Sequence, residues 1–72
     1  MKAQLQIGNE MREGKFITHF EADDGGYHGS FYCTPKVGEF FPPQFVLSTF
    51  ESKEMAVSAF KSIGGIILGD AE

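Results

Sequence analysis

KFITHFEADDGGYHGSFYC, residues 15–33, is the stretch that decides how this chain folds. Asp23-Asp24-Gly25-Gly26 separates two runs rich in aromatic and β-branched residues. Asp-Gly is a strong hairpin signal because both residues tolerate the backbone a tight turn demands. With Asp24 and Gly25 at the turn, Ala22 faces Tyr27, Thr18 faces Phe31 and Phe16 faces Cys33. The other side then pairs Glu21 with His28, His19 with Ser30 and Ile17 with Tyr32. Sliding the turn to Gly25-Gly26 changes the partners but leaves every side chain on its own face. Phe16, Phe20, Tyr27, Phe31 and Cys33 make the first face the apolar one, so it is assigned to the core. The second is mostly polar but carries Ile17 and Tyr32 side by side.

Working outward, Ala3, Leu5 and Ile7 alternate with Lys2, Gln4 and Gln6, the period of a half-buried strand. Gly8 and Asn9 end it, Glu10 to Gly14 reads as a polar turn, and Lys15 to Ala22 as the second strand. Pro35 and Gly38 break the third. Gln44 to Phe50 reads as a fourth, with Phe45 and Leu47 set against Gln44, Val46 and Ser48. Ser52 is then a natural helix N-cap, ranked above a competing capping box from Ser48 and Glu51. Met55, Ala56, Ala59, Phe60 and Ile63 recur at helical spacing, and Gly64-Gly65 supplies the left-handed residue that stops the helix. Ile66 to Leu68 is either a closing strand or a tail against the sheet. The expected class is α+β: an antiparallel sheet of four strands, five if the last run pairs, with one C-terminal helix on one face. One three-turn helix cannot cover both faces.

Seventy-two residues are read as a single small α+β domain, 1–72, with a marginal core. Cys33 is the one cysteine, so no internal disulfide can form, and a reducing compartment is expected. No leader pattern and no apolar run of membrane-spanning length is visible, so the expectation is a soluble cytoplasmic protein. The formal charge is −4, with ten acids against six bases. The bases Lys2, Arg12, Lys15, Lys36, Lys53 and Lys61 are scattered singly, which argues against phosphate backbones and anionic membranes.

Catalytic and metal chemistry find little support. Cys33 lies on the core face and both histidines on the other, so no cysteine–base pair forms, and no catalytic residue is assigned. His19, His28 and Cys33, with Asp23 or Asp24, lack the short regular spacing of zinc ligands. A cross-strand pair with Glu21 accounts for His28, and no metal or cofactor is expected. ADDGGYHGS fits neither a P-loop nor an EF-hand, and turn chemistry explains it. Tyr27, Phe31 and Tyr32 could stack bases, but no lysine or arginine is interleaved with them. Single-stranded nucleic-acid binding is therefore the alternative, not the first reading.

GEFFPPQFV, residues 38–46, remains. Pro42 and Pro43 exclude mid-sheet placement, so residues 35–43 read as a stiff connection on the surface. The plainer expectation is that Phe40 and Phe41 close the end of the core. Neighbouring residues of an extended segment point opposite ways, however, so the other reading leaves at least one as an aromatic anchor for a partner. The expected function is a non-enzymatic protein-interaction module, an adaptor or inhibitor. It would act through the open sheet face and the 38–43 loop, with Ile17, His19, Tyr32, Phe40 and Phe41 in contact. Asp23, Asp24 and Glu39 would favour a basic partner surface. Burying the open face between two copies would also support a small core, so a homodimer is expected. In size and style the chain resembles the small accessory proteins of bacteria and their phages.

Overall fold

The computed structural model describes residues 1–69. It contains β1 (Lys2–Ile7), β2 (Glu10–Glu21), β3 (Gly26–Cys33), β4 (Gln44–Phe50), α1 (Lys53–Ser62) and β5 (Ile66–Gly69). The strands form one antiparallel sheet in the order β4-β3-β2-β1-β5, with α1 packed against it. This is the α+β arrangement expected from the sequence, and the last apolar run is a fifth strand, antiparallel to β1.

Two turns differ from expectation. Ile7 pairs with Glu10 across a two-residue turn in which Gly8 has φ +63°, so Glu10 to Gly14 is strand rather than turn. Gly14 lies inside β2, between Ala3 and Cys33, where a Cβ would collide with the Tyr32 carbonyl. Glycine here marks close approach of backbones, not a break. In the central hairpin Glu21 pairs with Gly26, leaving a four-residue loop, 22–25. Gly25, at φ +68°, donates its N–H to the Glu21 carbonyl at 2.9 Å. The longer loop moves each cross-strand partner by two positions, so faces are kept but pairs change. Phe16 faces Phe31, Ile17 faces Ser30, and His19 faces His28 rather than Ser30.

The core gathers Ala3, Leu5, Phe16, Phe31 and Cys33 from the sheet with Phe60 from the helix. Phe60 stacks on Phe16 at 4.2 Å between ring centroids and on Phe31 at 5.5 Å. Ser52 caps α1, its hydroxyl accepting from the Met55 N–H at 3.2 Å. At the other end Gly64 has φ +99°, and the N–H groups of Gly65 and Gly64 reach the carbonyls of Phe60 and Lys61. This Schellman stop turns the chain back toward β1. The expected helical stripe is narrower than its spacing suggested. Ala56 and Phe60 are buried, while Met55 and Ile63 are half exposed. A ten-residue helix also stops short of the hairpin, so Phe20 lies on the helix side of the sheet yet remains 56% exposed, packed edge-on against Tyr27.

Candidate functional site

Among the described residues no element packs on the face of the sheet opposite α1. Register places Ile17, Ser30 and Val46 in one cross-strand row. The adjacent row holds Lys2, Lys15, Tyr32 and Gln44. Ser30 is small and buried between larger neighbours, whereas Ile17, Tyr32 and Val46 are exposed. They form an apolar patch of the kind that marks interfaces. Ile17, His19 and Tyr32 therefore share the open face. Val46 joins them as a residue the sequence reading passed over, although the alternation of Gln44, Val46 and Ser48 already put it opposite Phe45 and Leu47.

Phe40 and Phe41 do not close the core. They are 87% and 93% exposed, so the plainer expectation for this pair is corrected. Arg12 finishes that end of the core instead. It occupies a core-face position opposite Leu5, only 7% exposed. Its guanidinium donates to both carboxylate oxygens of Glu39, at 2.7 and 3.2 Å, and to the Thr34 carbonyl at 3.1 Å. Such a two-pronged pair fixes geometry as well as charge. Glu39 also accepts from the Lys36 N–H at 3.0 Å and returns its own N–H to the Lys36 carbonyl at 2.9 Å. The Lys36 ammonium reaches Glu10. Arg12, above all, holds the Glu39 carboxyl below the usual carboxylate range, with the Lys36 backbone N–H adding to the effect.

The loop is thus braced at its base and presents two phenylalanines directly beyond the brace. Gln44, three residues after Phe41, pairs with Tyr32, so loop and patch meet at one end of the sheet. Glu39, expected to favour a basic partner surface, is tied to Arg12. Asp24 likewise accepts from the His28 Nε2–H at 2.7 Å. Of the three acids proposed to meet a basic partner, Asp23 alone has neither of these ties.

At the hairpin end of the same face, His19 and His28 sit directly opposite each other with ring centroids 5.4 Å apart. Glu21, two residues beyond His19 and on the same side, places a carboxylate oxygen 3.5 Å from His19 Nε2. One donor atom from each of His19, Glu21 and His28 lies within 4.8 Å of the others. The expected Glu21–His28 pairing is replaced by this three-residue cluster. Cys33 takes no part: it is buried on the other face, and desolvation pushes its thiol above the ordinary range. A protonated, enclosed thiol is a poor nucleophile. On the helix side, an open hollow of about 480 Å³ runs between Met1, Thr18, Val57 and Lys61. Among the described residues no helix is long and apolar enough to cross a membrane. Comparison with protein-family models, with curated proteins and with solved structures finds no match for this chain.

Proposed function

We propose that this chain is a small, non-enzymatic protein-interaction module, an adaptor or inhibitor, whose contact surface is the 38–43 loop together with the open sheet face. One observation carries the reading: two adjacent phenylalanines stand almost wholly in water on a segment clamped by Arg12 and stiffened by two prolines. Burying a phenylalanine is worth roughly 1.5–3 kcal/mol. A braced loop loses little conformational freedom when a partner covers it, so more of that gain survives as affinity. Tyr32, Ile17 and Val46 extend the surface, and His19 borders it. The net charge of −4 favours a partner with basic surface. A second copy of the chain is one occupant that would bury the patch, and the lone cysteine suits a cytoplasmic setting.

The test is affinity capture from native lysate with the wild-type chain beside Phe40→Ser/Phe41→Ser and Tyr32→Ala. A specific protein should be retained by the wild type and lost with the variants while their thermal unfolding stays unchanged. An identical captured set for all three sinks the reading. Light scattering coupled to size exclusion answers the homodimer separately, and a monomer at high concentration removes it.

Single-stranded nucleic acid stays as the second reading because Lys2, Lys15 and Tyr32 share one row of the open face. Two cations and one ring neutralise few phosphates, so binding would be weak and strongly salt-dependent. A gel shift at low salt separates the two readings.

A further inference from the structure

We propose that His19, His28 and Glu21 form a binding site for one divalent transition-metal ion of the zinc class. The hairpin register sets two imidazoles opposite each other on adjacent strands and places a carboxylate on the same side two residues away. Two histidines and a glutamate are a complete three-ligand set for zinc, with a fourth position left to water. Ligand atoms around a tetrahedral zinc lie roughly 3.3 Å apart, given metal–ligand distances of about 2.0–2.1 Å. His19 Nε2 and a Glu21 carboxylate oxygen already stand at 3.5 Å, and the His28 donor lies within 4.8 Å of both.

Asp24 supplies an independent feature of such centres. It accepts from the His28 Nε2–H at 2.7 Å, which leaves Nδ1 of the neutral imidazole as the nitrogen to hold the ion. Ligating histidines are characteristically oriented by a carboxylate in this way. His28 is well enclosed, and the pairing of β2 with β3 holds all three ligands on strands rather than on a loop. Sites mounted on regular elements keep their geometry best. His19 and Glu21 are close to half exposed, so an ion can enter from solvent. Imidazole selects zinc, nickel or copper over magnesium and calcium, which prefer all-oxygen shells. The site lies at the hairpin end of the face and stands whether or not the loop binds a partner.

The experiment is calorimetric titration of the untagged, chelator-stripped full chain with zinc chloride, paired with cobalt(II) absorption spectroscopy. One ion per chain should bind saturably, with tetrahedral cobalt bands appearing in the visible region. His19→Gln and His28→Gln should each weaken zinc at least tenfold, and Asp24→Asn about tenfold as an orienting residue. Cys33→Ser should bind like the wild type. Magnesium and calcium at equal concentration should have no effect. Absence of saturable zinc uptake up to about 1 mM, far above the range of a three-ligand site, overturns the proposal. So does zinc binding that survives unchanged in the double histidine variant, or equal binding of calcium. Should a variant misfold, the wild-type chain still decides the matter, because cobalt must shift the ring signals of His19 and His28 in its NMR spectrum.

Discussion

Phe31 and Tyr32 are neighbours in β3, and they show how differently the two sides of this sheet are used. Phe31 is 1% exposed beneath Phe60, whereas Tyr32 is 43% exposed on the bare side. One side is a packed interior in which rings stack at 4.2 Å, and the other is a sparse patch bounded by charge. The contrast teaches that a single helix sets what is interior. Where α1 ends, even residues on its own side, such as Phe20, return to water. Stability should therefore be concentrated on one face and surface contacts on the other.

The most severe way to probe that division is Phe60→Ala. Phe60 is fully buried and stacks on both central rings, so its removal should cost about 3–5 kcal/mol. That is comparable with the whole stability expected of a small domain. Tyr32→Ala, measured by the same urea titration, should stay within about 0.5 kcal/mol of wild type. Equal losses from the two variants would mean that the open face is structural after all.

Gly29→Ala sharpens the comparison from within the sheet. A Cβ at Gly29 would stand 2.5 Å from the Phe16 Cζ, on the packed side. Phe16 cannot retreat, because Phe60 covers it, so overpacking should cost about 1–3 kcal/mol. The adjacent Ser30→Ala, facing the other way, should cost less. A neutral Gly29→Ala would indicate a looser helix–sheet contact than the ring stacking implies.

Acid probes the loop, which lies between the two regimes. The folded chain depresses the Glu39 pKa, chiefly through Arg12. Its contribution is therefore present above the ordinary carboxylate range and is lost as pH falls through the lowered folded value. Arg12 stays protonated throughout. Protection factors of the loop amides, residues 36–41, corrected for the intrinsic pH dependence of exchange, should fall on acidification while those of β2 and β3 are kept. Glu39→Gln should show low loop protection already at neutral pH and little further change in acid. A uniform loss of protection across the whole chain would show that the ion pair has no local role.

Much of this organisation was legible beforehand, and the reasons differ by element. Side-chain alternation has a period of two, so Phe16, Phe31 and Cys33 could be sorted from His19 and Tyr32 even with the loop length misjudged. A turn set at Asp24-Gly25 does not predict the His19–His28 pair, because cross-strand partners depend on loop length and faces do not. Arg12 was unreadable for a physical reason. A lone arginine in a polar stretch looks solvated, and only the return of Glu39 from twenty-seven residues away makes its burial affordable. Phe40 and Phe41 misled in the opposite direction. Aromatic residues are expected inside, but the position they would fill beside Leu5 belongs to Arg12.

The smallest expected change in stability is the one most informative about function. Phe40→Ser/Phe41→Ser should leave the unfolding free energy within about 0.5 kcal/mol of wild type, because neither ring has packing to lose. It should also reduce self-association at high concentration, since two exposed rings are an aggregation liability. Urea titration and concentration-dependent light scattering check the two halves independently. A loss of several kcal/mol would show that the rings support the fold, and the loop would cease to be a contact surface. Unchanged stability with unchanged association would leave the rings without a role in folding or in self-association, and binding of a different protein would then be the remaining physical reason to hold them in water on a braced loop.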